Sequence, residues 1–216
     1  MRSTDTLSGS EASPAVHIVD DDVGFRTALD GLLRSAGYEV RQFASAHDFA
    51  ASGRAASSGC LVLDVRLPGG MSGLDLQAQL LASGAHMPVI FMTGHGNVPM
   101  SVRAMKAGAV DFFSKPFREQ DLLDAVASAM TRDAEARARR LQIDSLCERV
   151  SKLSHRERQV MMLVAKGKMN KQIAIDLSIA EITVKIHRGN AMRKMRARTV
   201  ADLVRMTEAL IATHQK

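Results

Sequence analysis

Through residue 120 the apolar positions follow two alternating patterns, short continuous runs and longer stretches with helical spacing. The runs are Ala15–Val19, Tyr38–Phe43, Cys60–Asp64, Pro88–Met92 and Ala109–Phe113. Three of them are short continuous apolar segments, as expected where helices cover both faces of a parallel sheet. Between the first two, Phe25, Ala28, Leu29, Leu32, Leu33 and Ala36 form a helical stripe that Gly37 closes. Further helices are predicted over Ala46–Ser52, Gly73–Ser83 and Val98–Ala107, the last with Asn97 as its N-cap and Gly108 as its terminator. Strands alternating with helices predict a doubly wound α/β domain on a five-stranded parallel sheet over residues 14–130, behind a polar, disordered tail at 1–13.

A helical pattern then runs on from Glu119 through Leu122, Leu123, Val126, Met130, Ala134, Ala138 and Leu141. Residues 132–140 are charged and Ala-rich, which predicts a solvent-exposed linker helix over 131–152. A second stripe, Ile143, Leu146, Val150 and Leu153, is out of phase with the first, so a break is expected near residue 142. The rest, 153–216, is a small all-α domain. Ser154 and Glu157 have capping-box spacing, and the helix they open ends at Gly167. Asn170 is expected to cap a short helix, a turn at Ser178–Ala180 follows, and a longer basic helix spans Glu181–Met195 before a last one from Thr199. A short helix, a tight turn and a basic helix form a helix-turn-helix.

Four kinds of polar residue end the strand-like runs: Asp20-Asp21-Asp22, Asp64, Thr93 and Lys115-Pro116. Parallel strands would bring all four to one carboxyl edge, where open α/β sheets place their ligand sites. Carboxylates, a hydroxyl and an ammonium are what a Mg²⁺-assisted phosphoryl acceptor requires. Asp20, Asp21, Asp64 and a backbone carbonyl just beyond it suffice as oxygen ligands for Mg²⁺. Lys115 and the Thr93 hydroxyl then meet phosphoryl oxygens. Taken singly, each residue has a plainer explanation: Asp20–Asp22 as helix caps, Asp64 as a turn residue, Thr93 as a cap, Lys115 as a surface charge. It is their joint placement after successive strands that points to chemistry.

Charge divides the chain in the same way. Residues 1–120 carry 10 Lys and Arg against 12 Asp and Glu, residues 121–153 carry 6 against 6, and residues 154–216 carry 13 against 5. Positive charge concentrated in one small domain is the footprint of nucleic-acid binding. On the basic helix, Val184, His187 or Arg188, Ala191 and Met195 share one side, and Ile182, Lys185, Ile186, Gly189 and Arg193 the other. Lys185 is read as a base-edge contact and Ile186 as an apolar contact to a thymine methyl. Arg188, Arg193, Lys194, Lys171 and the Thr183 hydroxyl are read as phosphate contacts. Cys60 and Cys147 lack partners at metal-ligand spacing, and no run reaches the ~18 apolar residues of a membrane span, which predicts a reduced, cytoplasmic protein.

Val16–Asp22, Leu63–Pro68, Phe91–Gly96 and Val98–Phe117 resemble the receiver domain of two-component response regulators, the last stretch that of the FixJ-type subgroup. Leu153–Glu157, Asn170–Ala174 and Thr183–Arg188 resemble the LuxR/NarL-type helix-turn-helix. The resemblance implies that Asp64 is the phosphoacceptor and that the Arg66 carbonyl joins Asp20, Asp21 and Asp64 on Mg²⁺. It also implies that Thr93 and Lys115 sense the phosphoryl group and that Phe112 is the switch aromatic. Three positions depart from the pattern: Gly69-Gly70 stands where one residue is usual, Ala180 replaces a capping Ser, and Gly189 lies within the recognition helix.

The expected protein is therefore a transcription regulator, not an enzyme. A sensor histidine kinase phosphorylates it, it dimerises on phosphorylation, and it binds promoter DNA in contact with RNA polymerase. The alternatives are a phosphorylation-independent DNA-binding regulator, an aspartyl-phosphate-forming phosphatase and an RNA-binding antiterminator. A phosphatase needs an acid/base residue beside the nucleophile, and Val65 and Arg66 supply none.

Overall fold

The computed structural model describes residues 13–94 and 98–214. Residues 1–12 of the predicted tail and the Asn97 cap fall outside them. Five strands, β1 (Ala15–Val19), β2 (Glu39–Phe43), β3 (Gly59–Asp64), β4 (Val89–Thr93) and β5 (Asp111–Ser114), pair in parallel in the order β2-β1-β3-β4-β5. Helices α1 (Val23–Ser35), α2 (Ala46–Ala51), α3 (Gly73–Ala82) and α4 (Val98–Lys106) connect them, with a 3₁₀ turn at Arg54–Ala56, and α5 (Glu119–Ser151) follows.

Every residue of β1 and β3 is buried, so side chains on both faces of the sheet must be covered. On one face Val16, Ile18, Val62 and Ile90 pack against Leu29 and Leu33 of α1 and Leu122 and Val126 of α5. On the other, Val19, Leu61, Leu63 and Phe91 pack against Phe49 of α2, Leu76 and Leu80 of α3, and Ala104 of α4. The chain thus leaves β1 toward one face and β3 toward the other. The crevice between their carboxyl ends is where a doubly wound sheet opens a site.

Helix α5 runs unbroken through residue 142, contrary to the break expected there. The phase change marks a change in what the helix packs on. Leu122 and Val126 belong to the sheet core, whereas Leu146, Val150 and Leu153 belong to a separate helical core. The exposure predicted for its charged stretch also has an exception. Asp133 is buried, and its Oδ2 accepts from the Gly59 N–H at 2.8 Å and the Ser58 hydroxyl at 3.1 Å, tying the helix to the start of β3.

The chain divides into two compact units at 136/137. In the second, α6 (His155–Ala165), α7 (Asn170–Leu177), α8 (Glu181–Met195) and α9 (Val200–His214) bury Val160, Met161, Ile173, Val184, Ala191, Met195 and Leu203. Ser154 and Glu157 close the capping box that opens α6. Asn170 is not a cap but the first residue of α7. Met169 precedes it as N-cap, and Gln172 Oε1 accepts from the Met169 N–H at 2.9 Å.

Candidate functional site

At the end of β1 the buried Asp20 carboxylate accepts from the Asp22 N–H at 2.9 Å, while Asp22 caps α1 through the Phe25 N–H at 3.0 Å. The capping role and the chemical role therefore belong to different aspartates of one run. At the end of β3, Asp64 Oδ1 accepts from the Arg66 N–H at 2.8 Å, which leaves Oδ2 turned to the crevice. Lys115, just beyond β5, reaches back across the sheet edge. Its Nζ donates to Asp20 Oδ2 at 2.6 Å and to Asp64 Oδ2 at 2.8 Å. The Lys115–Pro116 peptide is cis, and the Lys115 N–H bonds the Thr93 carbonyl at 2.8 Å, joining the ends of β4 and β5.

Burial pushes the Asp20 carboxyl up from its ordinary range, opposed by the hydrogen bond from Lys115. Burial alone would lower the Lys115 ammonium, but its bonds to Asp20 and Asp64 outweigh that and raise it. The lysine is thus held cationic by the two carboxylates. Ligand oxygens of Asp20, Asp64 and the exposed Asp21 lie within 4.8 Å of one another, and hard carboxylate oxygens at that spacing suit a divalent cation such as Mg²⁺.

Thr93 is buried at the end of β4. Phe112 is half-buried on β5, its ring centroid 6.3 Å from that of Phe91, and it packs with the α2–α4 face while Phe113 packs with the α1–α5 face. The two phenylalanines alternate across the strand as the pattern required. The Gly69-Gly70 insertion is exposed and has φ of +88° and +84°, a left-handed pair that side chains rarely adopt. Gly73 answers to space instead: a Cβ there would meet the Asp64 carbonyl oxygen at 2.2 Å.

Two neighbours of this site were missed in the sequence. Arg26 is buried, and its Nη1 donates to the Asp20 carbonyl. Phe25 belongs to the predicted core stripe, yet its ring centroid lies 3.8 Å from Lys115 Nζ. Arg26 had a signal, because it precedes the buried Leu29 and Leu33 by three and seven residues and so shares their helix row.

In the second unit, α8 presents Val184, Ala191 and Met195 inward and leaves Ile182, Lys185, Ile186, Gly189 and Arg193 exposed. Lys171 is exposed on α7, and Thr183 is half-buried in the first turn of α8. Ala180 is the N-cap of α8 and provides no side-chain cap bond. Arg188 is half-buried and donates to Asn170 Oδ1 at 3.1 Å, linking the two helices of the motif. Lys194, expected as a phosphate contact, instead pairs with the buried Glu157 at 2.7 Å.

A receiver-type sheet ahead of a helix-turn-helix is the class these two units define. Residues 16–127 match the family described as response regulator receiver domain, and residues 151–207 match the bacterial regulatory proteins of the luxR family. The chain belongs to the two-component response regulators and is a DNA-binding regulator of transcription. Nodulation protein W of Bradyrhizobium diazoefficiens is 54% identical over 195 residues, covering 90% of this chain and 86% of that one. The transcriptional regulatory protein FixJ of Azorhizobium caulinodans is 46% identical over 197 residues, with coverage of 91% and 92%. Among solved structures, the response regulator StyR superposes with a TM-score of 0.80 at 51% identity, covering 90% of this chain and 98% of that one.

Proposed function

We propose that Asp64 accepts a phosphoryl group from the phosphohistidine of a sensor kinase and that this acyl phosphate switches promoter binding. The observation that carries the reading is the single ammonium of Lys115 bridging Asp20 Oδ2 and Asp64 Oδ2 at 2.6 and 2.8 Å. Asp64 Oδ2 attacks phosphorus, the P–N bond breaks, and the imidazole nitrogen takes the leaving electron pair. Asp20, Asp21, Asp64 and the Arg66 carbonyl are the residues that would hold Mg²⁺, which neutralises the incoming phosphoryl charge. Lys115 meets a phosphoryl oxygen, the Thr93 hydroxyl another, and Phe112 follows Thr93 inward. The surface of α4, β5 and the first turns of α5 then favours a homodimer, which sets two recognition helices on adjacent half-sites. Lys185 and Ile186 face base edges, while Lys171, Thr183 and Arg188 lie toward the phosphates. RNA polymerase is the downstream partner, and the protein works in the cytoplasm.

Molar mass and duplex affinity, measured with and without acetyl phosphate and Mg²⁺, test this. Wild type gains both mass and affinity, and Asp64→Asn gains neither. Equal values for wild type in the two conditions would leave a regulator that binds DNA independently of phosphate.

A further inference from the structure

An ammonium has three N–H bonds, and in Lys115 two are committed to Asp20 Oδ2 and Asp64 Oδ2. Beside these, Nζ lies over the face of Phe25, 3.8 Å from its centroid. The ring is not loose. Phe25 sits in the first turn of α1 and meets Phe117 edge-to-face at 6.1 Å and 85°, and Phe117 meets Phe113 at 5.5 Å. All three rings pack against the core beneath α1 and α5. A π-face attracts a cation through its quadrupole without demanding one bond direction.

We propose that Phe25 is a positioning residue for Lys115, holding the ammonium over the acidic cluster while its acceptor changes from carboxylate to phosphoryl oxygen. The proposal rests on Asp64 being the phosphoacceptor. A carboxylate or carbonyl in the ring's place would fix the lysine along one line. The ring lets it pivot and still keeps it desolvated on that side.

The arrangement has two consequences of opposite sign. Lys115 sits on two of the three carboxylates that would hold a divalent cation, so a lysine held firmly opposes metal binding in the resting protein through its charge. During transfer the same firm hold places positive charge where the phosphoryl group gathers negative charge, and so speeds the step. Loss of the ring face therefore tightens Mg²⁺ binding and slows phosphoryl acceptance, each by about two- to tenfold on the scale of one cation–π contact. A merely loosened site would weaken both.

The full-length chain is compared as wild type, Phe25→Leu, Phe25→Tyr and a variant with pentafluorophenylalanine at residue 25, which keeps the ring's shape and reverses its quadrupole. Calorimetry gives the Mg²⁺ dissociation constant, and phosphoprotein gels give the rate with acetyl phosphate at saturating Mg²⁺. Phe25→Tyr is expected to track wild type. Phe25→Leu and the fluorinated variant are expected to bind Mg²⁺ more tightly and to accept phosphate more slowly. The proposal is overturned if the fluorinated variant matches wild type in both measurements, or if metal affinity and rate fall together. Should wild type take no phosphate from acetyl phosphate, the phosphoacceptor reading itself fails, a result distinct from an indifferent ring.

Discussion

His17, at the middle of β1, is fully buried among the rings of Phe43 and Phe49. Its Nε2 meets the Ser57 hydroxyl at 3.1 Å, and its Nδ1 has no hydrogen-bond partner among the described residues. Burial, with help from the Arg54 and Arg41 charges, lowers its pKa from 6.5 to about 4. The fold therefore holds the ring neutral, whereas the unfolded chain protonates it below 6.5. Stability attached to this residue is complete at neutral pH, falls as the pH drops through 6.5, and is gone near 4. Urea midpoints at pH 7 and pH 5 should show wild type losing about 1–2 kcal/mol more than His17→Leu between the two. Gly73 makes a different demand. With its Cβ position 2.2 Å from the Asp64 carbonyl oxygen, Gly73→Ala must push back the strand end that carries the acceptor. A loss of about 1–3 kcal/mol by thermal or urea unfolding is expected, together with slower labelling by acetyl phosphate.

The elements themselves were largely legible in the sequence. All five strands and most helices follow from apolar runs ended by polar or glycine punctuation, with boundaries displaced by a residue or two; the break expected near residue 142 is the exception, since α5 runs through it. The site was legible for the same reason, since Asp20, Asp64, Thr93 and Lys115 each stand at or just beyond the end of a parallel strand. Polar residues on apolar rows are not legible in this way. Asp133 continues the row Leu122, Val126, Ala129, yet its burial depends on the Gly59 N–H and Ser58 hydroxyl, more than 70 residues away. No local pattern announces such a partner. Glu157 was read correctly as a capping-box residue, but its second duty, pairing with Lys194, crosses 37 residues. The hydrogen bond from Lys194 holds the Glu157 carboxyl below its ordinary range, so Lys194→Met strands a buried acid beneath α8. The second unit should lose about 1–2 kcal/mol of stability, and Glu157→Gln should recover much of it in a double-mutant cycle, because it removes the unpaired charge.

Across the whole molecule, the basic charge lies in residues 154–216, while residues 1–120 carry a slight acidic excess. Among the described residues no helix is long and apolar enough to cross a membrane. Duplex binding should weaken steeply with salt, and Lys171→Ala should lower the log–log slope by about one while leaving sequence preference in place, as a salt series on two duplexes would show. The sheet order also governs how the protein is made. Asp20 and Asp64 sit at the ends of central strands, but their counter-ion follows the edge strand β5. On the ribosome both acids emerge before residue 115, so a nascent chain carries them without this lysine. Translation thus delivers the acids first and the base last, and the ion pairs that join the central strands to the edge close only when the final strand has left the exit tunnel.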